Sequence, residues 1–181
     1  MHIALFGGSF DPPHLGHVWC ATWARLVGRV DEVWILPVAK HPYAKPLQAW
    51  DRRWRLVQAA FADLPFIRLR DDEQRNSQGY TFDLIEALGR AHPGHRWSLV
   101  GGTDTARDLP NWHRGGELVH LVGIIPVPRR GFDDHPAALP AISSSSIRSL
   151  LATGASVTGL VPAAVEDLLR AEGWYAAGQP G

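Results

Sequence analysis

A single cysteine, Cys20, stands in the whole chain, which excludes an internal disulfide framework and suits a reducing compartment. Its neighbours are those of an apolar helix face, where a thiol is an inert packing group. No sign of charge is in excess either: Lys plus Arg and Asp plus Glu stand at 18 each. Bulk charge therefore gives no reason to expect nucleic acid or a membrane surface as a partner. No apolar run reaches the roughly 18–20 residues of a membrane span. Residues 1–3 (MHI) lack the basic start of a signal peptide. Cytoplasm is the expected setting.

Two familiar phosphate loops are missing. The chain has no G-x-x-x-x-G-K-[ST], and Gly7-Gly8 does not open a G-x-G-x-x-G. No set of residues reads as a Ser-His-Asp triad, nor does any internal repeat or linker divide the chain. The 181 residues, with 45% hydrophobic and 20% charged, are enough for one domain with one buried core.

What is present is an alternation. Apolar runs at residues 3–6, 33–36, 66–69, 97–100 and 120–127 (HLVGIIPV) read as strands. Between and after them, 15–27, 50–62, 80–91, 144–152 and 162–171 read as helices, the last begun by Pro162 and stopped by Gly173. In the second helix Trp54, Val57, Ala60 and Phe61 form the apolar face, with Arg52, Arg53 and Arg55 toward water. Such alternation implies an α/β fold, an open, doubly wound, mostly parallel sheet with helices on both faces. Residues 129–140 form the one long irregular connection, 36–50 suit a lid, and 176–181 are expected to fray.

The first strand runs into Gly7-Gly8-Ser9-Phe10-Asp11-Pro12-Pro13-His14-Leu15-Gly16-His17. This junction lies where ligands bind in open α/β sheets. Glycines without β-carbons let the backbone approach a ligand and take positive φ. Ser9 or Asp11 is expected to cap the turn, and two prolines stiffen it. His14 and His17, three apart, share one face of the first helical turn beside free amides and the positive end of the helix dipole. That is a seat for phosphate. A second block, Ile142-Ser143-Ser144-Ser145-Ser146-Ile147-Arg148, is a serine-rich helix start with an arginine just inside, also suited to polyphosphate.

On these two blocks the chain resembles the H-x-G-H nucleotidyltransferases, and within them the bacterial nicotinate-nucleotide adenylyltransferases. Gly101-Gly102-Thr103-Asp104 with Leu109-Pro110-Asn111-Trp112 is similar to the family's G-x-D and L-x-x-W. Tyr80-Thr81 is similar to its S-Y-T, with Gly79 in place of serine, and Arg129-Arg130-Gly131 to its R-x-G. Lys40 and Lys45, around His41, stand where the family has P-P-H-K. Val161-Pro162 and Gly173-Trp174-Tyr175 match its closing segments. Glu73 and Arg75 depart by one residue from its E-x-x-R and receive no role.

The resemblance implies a Rossmann-like sheet of order 3-2-1-4-5, with residues 144–175 completing an ATP site. It implies adenylyl transfer from ATP to nicotinate mononucleotide, releasing pyrophosphate, with Mg²⁺ carried on ATP and no metal site built by the protein. ATP would meet Gly7, Gly8, Ser9, Phe10, His17, Gly102, Asp104 (at the ribose), Ile142, Ser143, Ser144, Ser145 and Arg148. The mononucleotide would meet Lys45, Tyr80, Thr81, Arg130 and Trp112, the last by stacking. His14, His17, Lys45 and Arg148 would neutralise charge in the transition state. Nicotinamide mononucleotide, phosphopantetheine or a phosphocholine-like group with CTP stay open as rivals. So do a nucleotide-binding module without turnover and a homo-oligomeric assembly. Which protonation state the histidine pair takes is also open, because the dipole favours neutral rings and bound phosphate favours charged ones.

Overall fold

Short apolar runs become strands because both of their faces find cover. In the computed structural model, which describes residues 1–40, 46–131 and 134–177, β1 spans His2–Gly8, β2 Glu32–Pro37, β3 Ile67–Leu69, β4 Arg96–Gly102 and β5 Gly123–Val127. All pairings are parallel and the order is β3-β2-β1-β4-β5. Helices are α1 (Leu15–Leu26), α2 (Trp50–Phe61), α3 (Thr81–Ala91), α4 (Thr103–Asp108), α5 (Gly115–Leu121), α6 (Ser144–Ala152) and α7 (Ala163–Glu172). Short 3₁₀ turns lie at Asp72–Arg75 and Leu109–Asn111.

The period of two along β1 divides the core. Ala4 and Phe6 face a cluster containing Ala21 and Ala24 of α1, Leu56 and Val57 of α2, Ile147 of α6 and Val165 of α7. Ile3 and Leu5 face the opposite cluster, with Leu84, Ile85 and Leu88 of α3 and Leu118 of α5. The sheet is thus the middle of three layers. The chain leaves β1 to opposite sides for β2 and β4, so the carboxyl ends of β1 and β4 form the crevice where the strand order reverses.

Most elements lie within one or two residues of their sequence-based bounds; three readings need correction. The run at 120–127 is not one strand: Gly115–Leu121 is helix α5, and the strand begins at Gly123. Gly115 and Leu118, three apart on the helix, are its buried residues, and this helical spacing beats the β-like run of apolar residues. Helix α4 (TDTARD) has no buried residue, so apolar periodicity could not announce it. Arg53 does not face water. It is 1% exposed and donates from Nε to Gln48 O, from Nη1 to Ser9 O and from Nη2 to Val38 O, each at 2.9 Å. A buried guanidinium persists only where its nitrogens find acceptors, and here each of the three donates to a carbonyl.

Arg53 thereby ties the loop after β1 to both flanks of the excursion after β2. Residues 41–45 of that excursion, Lys45 included, lie outside the described residues, as do 132–133 and 178–181 of the segments expected to be irregular or frayed. Replacing Arg53 by Ala strands three carbonyls and should cost about 3–5 kcal/mol of unfolding free energy. Urea denaturation measures it; a loss below about 0.5 kcal/mol, the scale of an ordinary surface substitution, would contradict this role.

Candidate active site

At the carboxyl edge of β1 and β4 the chain encloses a cavity of about 420 Å³. Gly7, Gly8, Ser9, Gly16 and His17 form one wall, and Gly101 and Gly102 another. Tyr80 and Thr81 at the start of α3, with Trp112, form the far end, and Arg129 and Ile142 close the side.

The histidine motif is built differently from the simplest reading. Gly7 and Gly8 continue β1, and the positive φ falls on Phe10, at +47°. Phe10 is a core residue, 1% exposed, with its ring edge-on to Phe6 and Phe61 and 4.8 Å from His17. It does not line the cavity; its packing sustains a backbone strain of about 1–2 kcal/mol. Neither Ser9 nor Asp11 caps α1. His14 is the N-cap, and its own N–H donates to His17 Nδ1 at 3.1 Å. The two rings stack at 3.7 Å between centroids. Gly16 is required by that stack, since a β-carbon there would sit 2.9 Å from the His14 ring.

Accepting at Nδ1 leaves Nε2 as the proton-bearing nitrogen of neutral His17. Burial lowers His14 to about 4, helped by Arg129. Burial holds His17 well below its ordinary value too, with His14 and Arg129 adding to the effect. Both rings are therefore neutral at neutral pH in the unliganded site. His14 Nδ1 is buried without a protein partner among the described residues. Cys20 also lines the cavity, its thiol pushed up to about 11 by burial and so kept protonated.

The serine-rich helix start meets this loop directly. Ser144 Oγ donates to Pro12 O at 2.9 Å and Arg148 Nη1 to Asp11 O at 2.7 Å. A β-carbon on Gly16 would lie 3.8 Å from that of Ile142. Ser143 is the N-cap of α6, its Oγ accepting from Ser146 N–H at 3.1 Å, and Ser145 Oγ accepts from Arg148 Nη2 at 3.4 Å. The first-turn amides of α6 have no intrahelical acceptor. Two helix starts and a guanidinium so converge beside one cavity, an arrangement that favours a polyanion.

Of the other sequence candidates, Tyr80, Thr81 and Trp112 line the far end. The Trp112 indole is pinned by its N–H on Asp108 Oδ2 at 3.2 Å. Asp104 lies in the first turn of α4, its Oδ1 buried and without a protein partner among the described residues. Arg130 is exposed and lies outside the cavity wall; the arginine of the wall is Arg129. Among the described residues no cluster of His, Cys, Asp and Glu is arranged to hold a metal ion.

Two wall residues escaped the sequence reading. His113 stacks on Tyr80 at 4.0 Å, signalled only by its place after Trp112. Glu73, taken as an unassigned loop charge, is 5% exposed. Its Oε2 accepts from Asn76 Nδ2 at 2.9 Å, and that amide also donates to Tyr80 O at 3.1 Å. Burial raises the Glu73 carboxyl to about 7, against the Asn76 hydrogen bond and with help from Asp72.

The chain matches the cytidylyltransferase-like family over residues 5–150. It is 37% identical over 179 residues to a probable nicotinate-nucleotide adenylyltransferase of Anaeromyxobacter sp. (strain K), covering 96% of each chain. It is 34% identical over 183 residues to one of Myxococcus xanthus (strain DK1622), covering 97% of this chain and 95% of that one. Its fold matches, at TM-score 0.81 and 21% identity over 96% and 97% of the two chains, a Plasmodium falciparum nicotinic acid mononucleotide adenylyltransferase solved with NaAD. No helix among the described residues is long and apolar enough to cross a membrane.

Glu73 gives the site a pH signature. Its native value lies above the unfolded one, so its contribution to stability is full below about 4.5 and is lost as pH rises through about 7. Between pH 5 and 8 this group should remove on the order of 2–3 kcal/mol of unfolding free energy, a loss that Glu73→Gln abolishes while keeping an acceptor for Asn76. Urea denaturation at both pH values tests this; identical pH slopes in the two proteins would contradict it.

Proposed function

The chain belongs to the nicotinate-nucleotide adenylyltransferase family of nucleotidyltransferases, and from that premise we propose that it transfers the adenylyl group of ATP to nicotinate mononucleotide. The observation that carries the reading is the meeting of the His14–His17 helix start with the Ser143–Arg148 helix start beside one cavity. A phosphate oxygen of the mononucleotide attacks the α-phosphorus; its new P–O bond replaces the bond to the β-phosphate, and pyrophosphate leaves. The substrate supplies its own nucleophile, so the protein's work is positioning and charge neutralisation.

In this reading Gly7, Gly8, Ser9 and Gly102 let the backbone lie close to ATP, while Ile142 packs beside it. Asp104, in the first turn of α4, takes the ribose. The starts of α1 and α6, with Ser143, Ser144 and Ser145, hold the triphosphate. His17 donates from Nε2 to the departing phosphate oxygens, Arg148 supplies fixed charge, and stacked His14 fixes the His17 ring. Buried neutral rings need no proton to serve as donors, and phosphate arriving beside them favours protonation as charge builds. Mg²⁺ enters bound to ATP and is held mainly by its phosphates.

At the far end Trp112 stacks on the pyridine ring and the amides at Tyr80 and Thr81 receive its carboxylate. Arg129 replaces Arg130 as the cation of the wall; Lys45 keeps its proposed place at the acceptor phosphate. Residues 144–175 complete the ATP side of a single domain, and substrates of this kind carry a cytoplasmic setting.

Pyrophosphate release should occur with ATP and nicotinate mononucleotide and be faster than with nicotinamide mononucleotide. His17→Ala should lower kcat by about 100-fold or more, the scale of losing one transition-state donor. A preference for the amide substrate overturns the acceptor assignment; near-normal turnover in folded His17→Ala overturns the role of His17.

A further inference from the structure

Behind the cavity, the tail of the chain is fastened to the histidine loop through a buried acid. After α7 the backbone turns back through two left-handed residues, Gly173 at φ +64° and Tyr175 at φ +68°. Glycine takes this conformation freely; for tyrosine it is strained and persists only where its surroundings demand it. Here the turn buries Trp174 and Tyr175 to 6% and 8% exposure. It also brings Tyr175 Oη to Asp11 Oδ1, to which it donates at 2.6 Å.

Asp11 is 3% exposed and serves three segments at once. Its Oδ1 takes the tyrosine hydroxyl, and its Oδ2 accepts the Gln48 N–H at 3.3 Å. Its main-chain oxygen accepts Arg148 Nη1 at 2.7 Å, while that same nitrogen stands 4.0 Å from Oδ2. The guanidinium thus hangs on a neutral carbonyl with a carboxylate just beyond hydrogen-bond reach.

We propose that Tyr175 and Asp11 are positioning residues for Arg148: the hydroxyl occupies the buried carboxylate, so the guanidinium stays on the loop carbonyl with donors to spare for the ATP phosphates. The physical reason lies in the competition between acceptors. A charge-assisted bond to a carboxylate is about twice as strong as one to a neutral carbonyl. Remove the tyrosine hydroxyl and one Asp11 oxygen loses its donor. Arg148, whose Nη1 already stands 4.0 Å from Oδ2 of the same carboxylate, is then drawn onto the acid and off the loop carbonyl. The proposal rests on the adenylyl-transfer reading and adds to it a part for the tail.

Tyr175→Phe deletes only the hydroxyl. It should raise the KM for ATP about tenfold, in keeping with one hydrogen bond to a charged group. The KM for nicotinate mononucleotide should stay near the parent's value, while the thermal midpoint falls by a few degrees with the loss of a buried bond to a charged group. Titration calorimetry with a non-hydrolysable ATP analogue should show the same weakening. Adding Asp11→Asn removes the charge that draws Arg148 away and should recover most of the ATP KM. An unchanged ATP KM in Tyr175→Phe overturns the proposal. So does a rise in both KM values that tracks lost stability, or a double variant no better than the single one. If the parent chain makes no pyrophosphate from the two substrates, the functional reading falls first; if the parent turns over normally and Tyr175→Phe matches it, only the positioning role falls.

Discussion

Two hydrogen bonds between distant segments hold the site together. Ser144 Oγ reaches Pro12 O across 132 residues of sequence, and Arg148 Nη1 reaches Asp11 O across 137. Each ends on the rigid loop that follows β1, and each begins in the first two turns of α6. Through them the positive ends of two helix dipoles, which either helix alone would show to solvent, come to bear on one cavity. The sheet only delivers the loop; this docking sets a second helix start against it. The buried face of α6 supports it, since Ile147 is fully buried in the core cluster shared with Ala21 and Ala24 of α1.

The electrostatic character of the cavity follows from burial more than from fixed charge. His14 is buried and stacks on half-buried His17 near Arg129, and desolvation keeps both unliganded rings neutral. At the opposite end Glu73 is buried beside Asn76 and so favours its own neutral form. A charged carboxylate in that wall would oppose an anionic pyridine substrate; a carboxyl that resists ionisation opposes it less. Desolvation thus favours the uncharged form at both ends of the cavity.

Much of this was legible in the residues. The alternation of apolar runs carried the parallel sheet, and the two motifs marked the two helix starts that meet beside the cavity. Legibility failed where tertiary contact overrides local pattern. Nothing local in Arg52-Arg53-Trp54-Arg55 separates the buried arginine from its exposed neighbours; only three carbonyls from other segments do so. Phe10 belongs to a ligand motif by position and to the core by packing. Helix α4 buries no side chain and left no apolar trace. Arg129 and Arg130 are equivalent as letters, and the return pairing of Arg130 N–H with Leu139 O and Leu139 N–H with Pro128 O belongs to the fold that chooses between them. Tyr175 was visible as part of a closing segment, but its bond to Asp11 spans 164 residues.

The central claim is that one triphosphate is gripped by both helix starts together. A crystal structure of the full chain with a non-hydrolysable ATP analogue tests it most directly. The account predicts phosphate oxygens within hydrogen-bond distance of the amides at Ser144 and Ser145, the Arg148 guanidinium and His17 Nε2 in the same complex. An analogue whose phosphates touch the His17 side alone, or lie outside the cavity between Gly8 and Ile142, would contradict it.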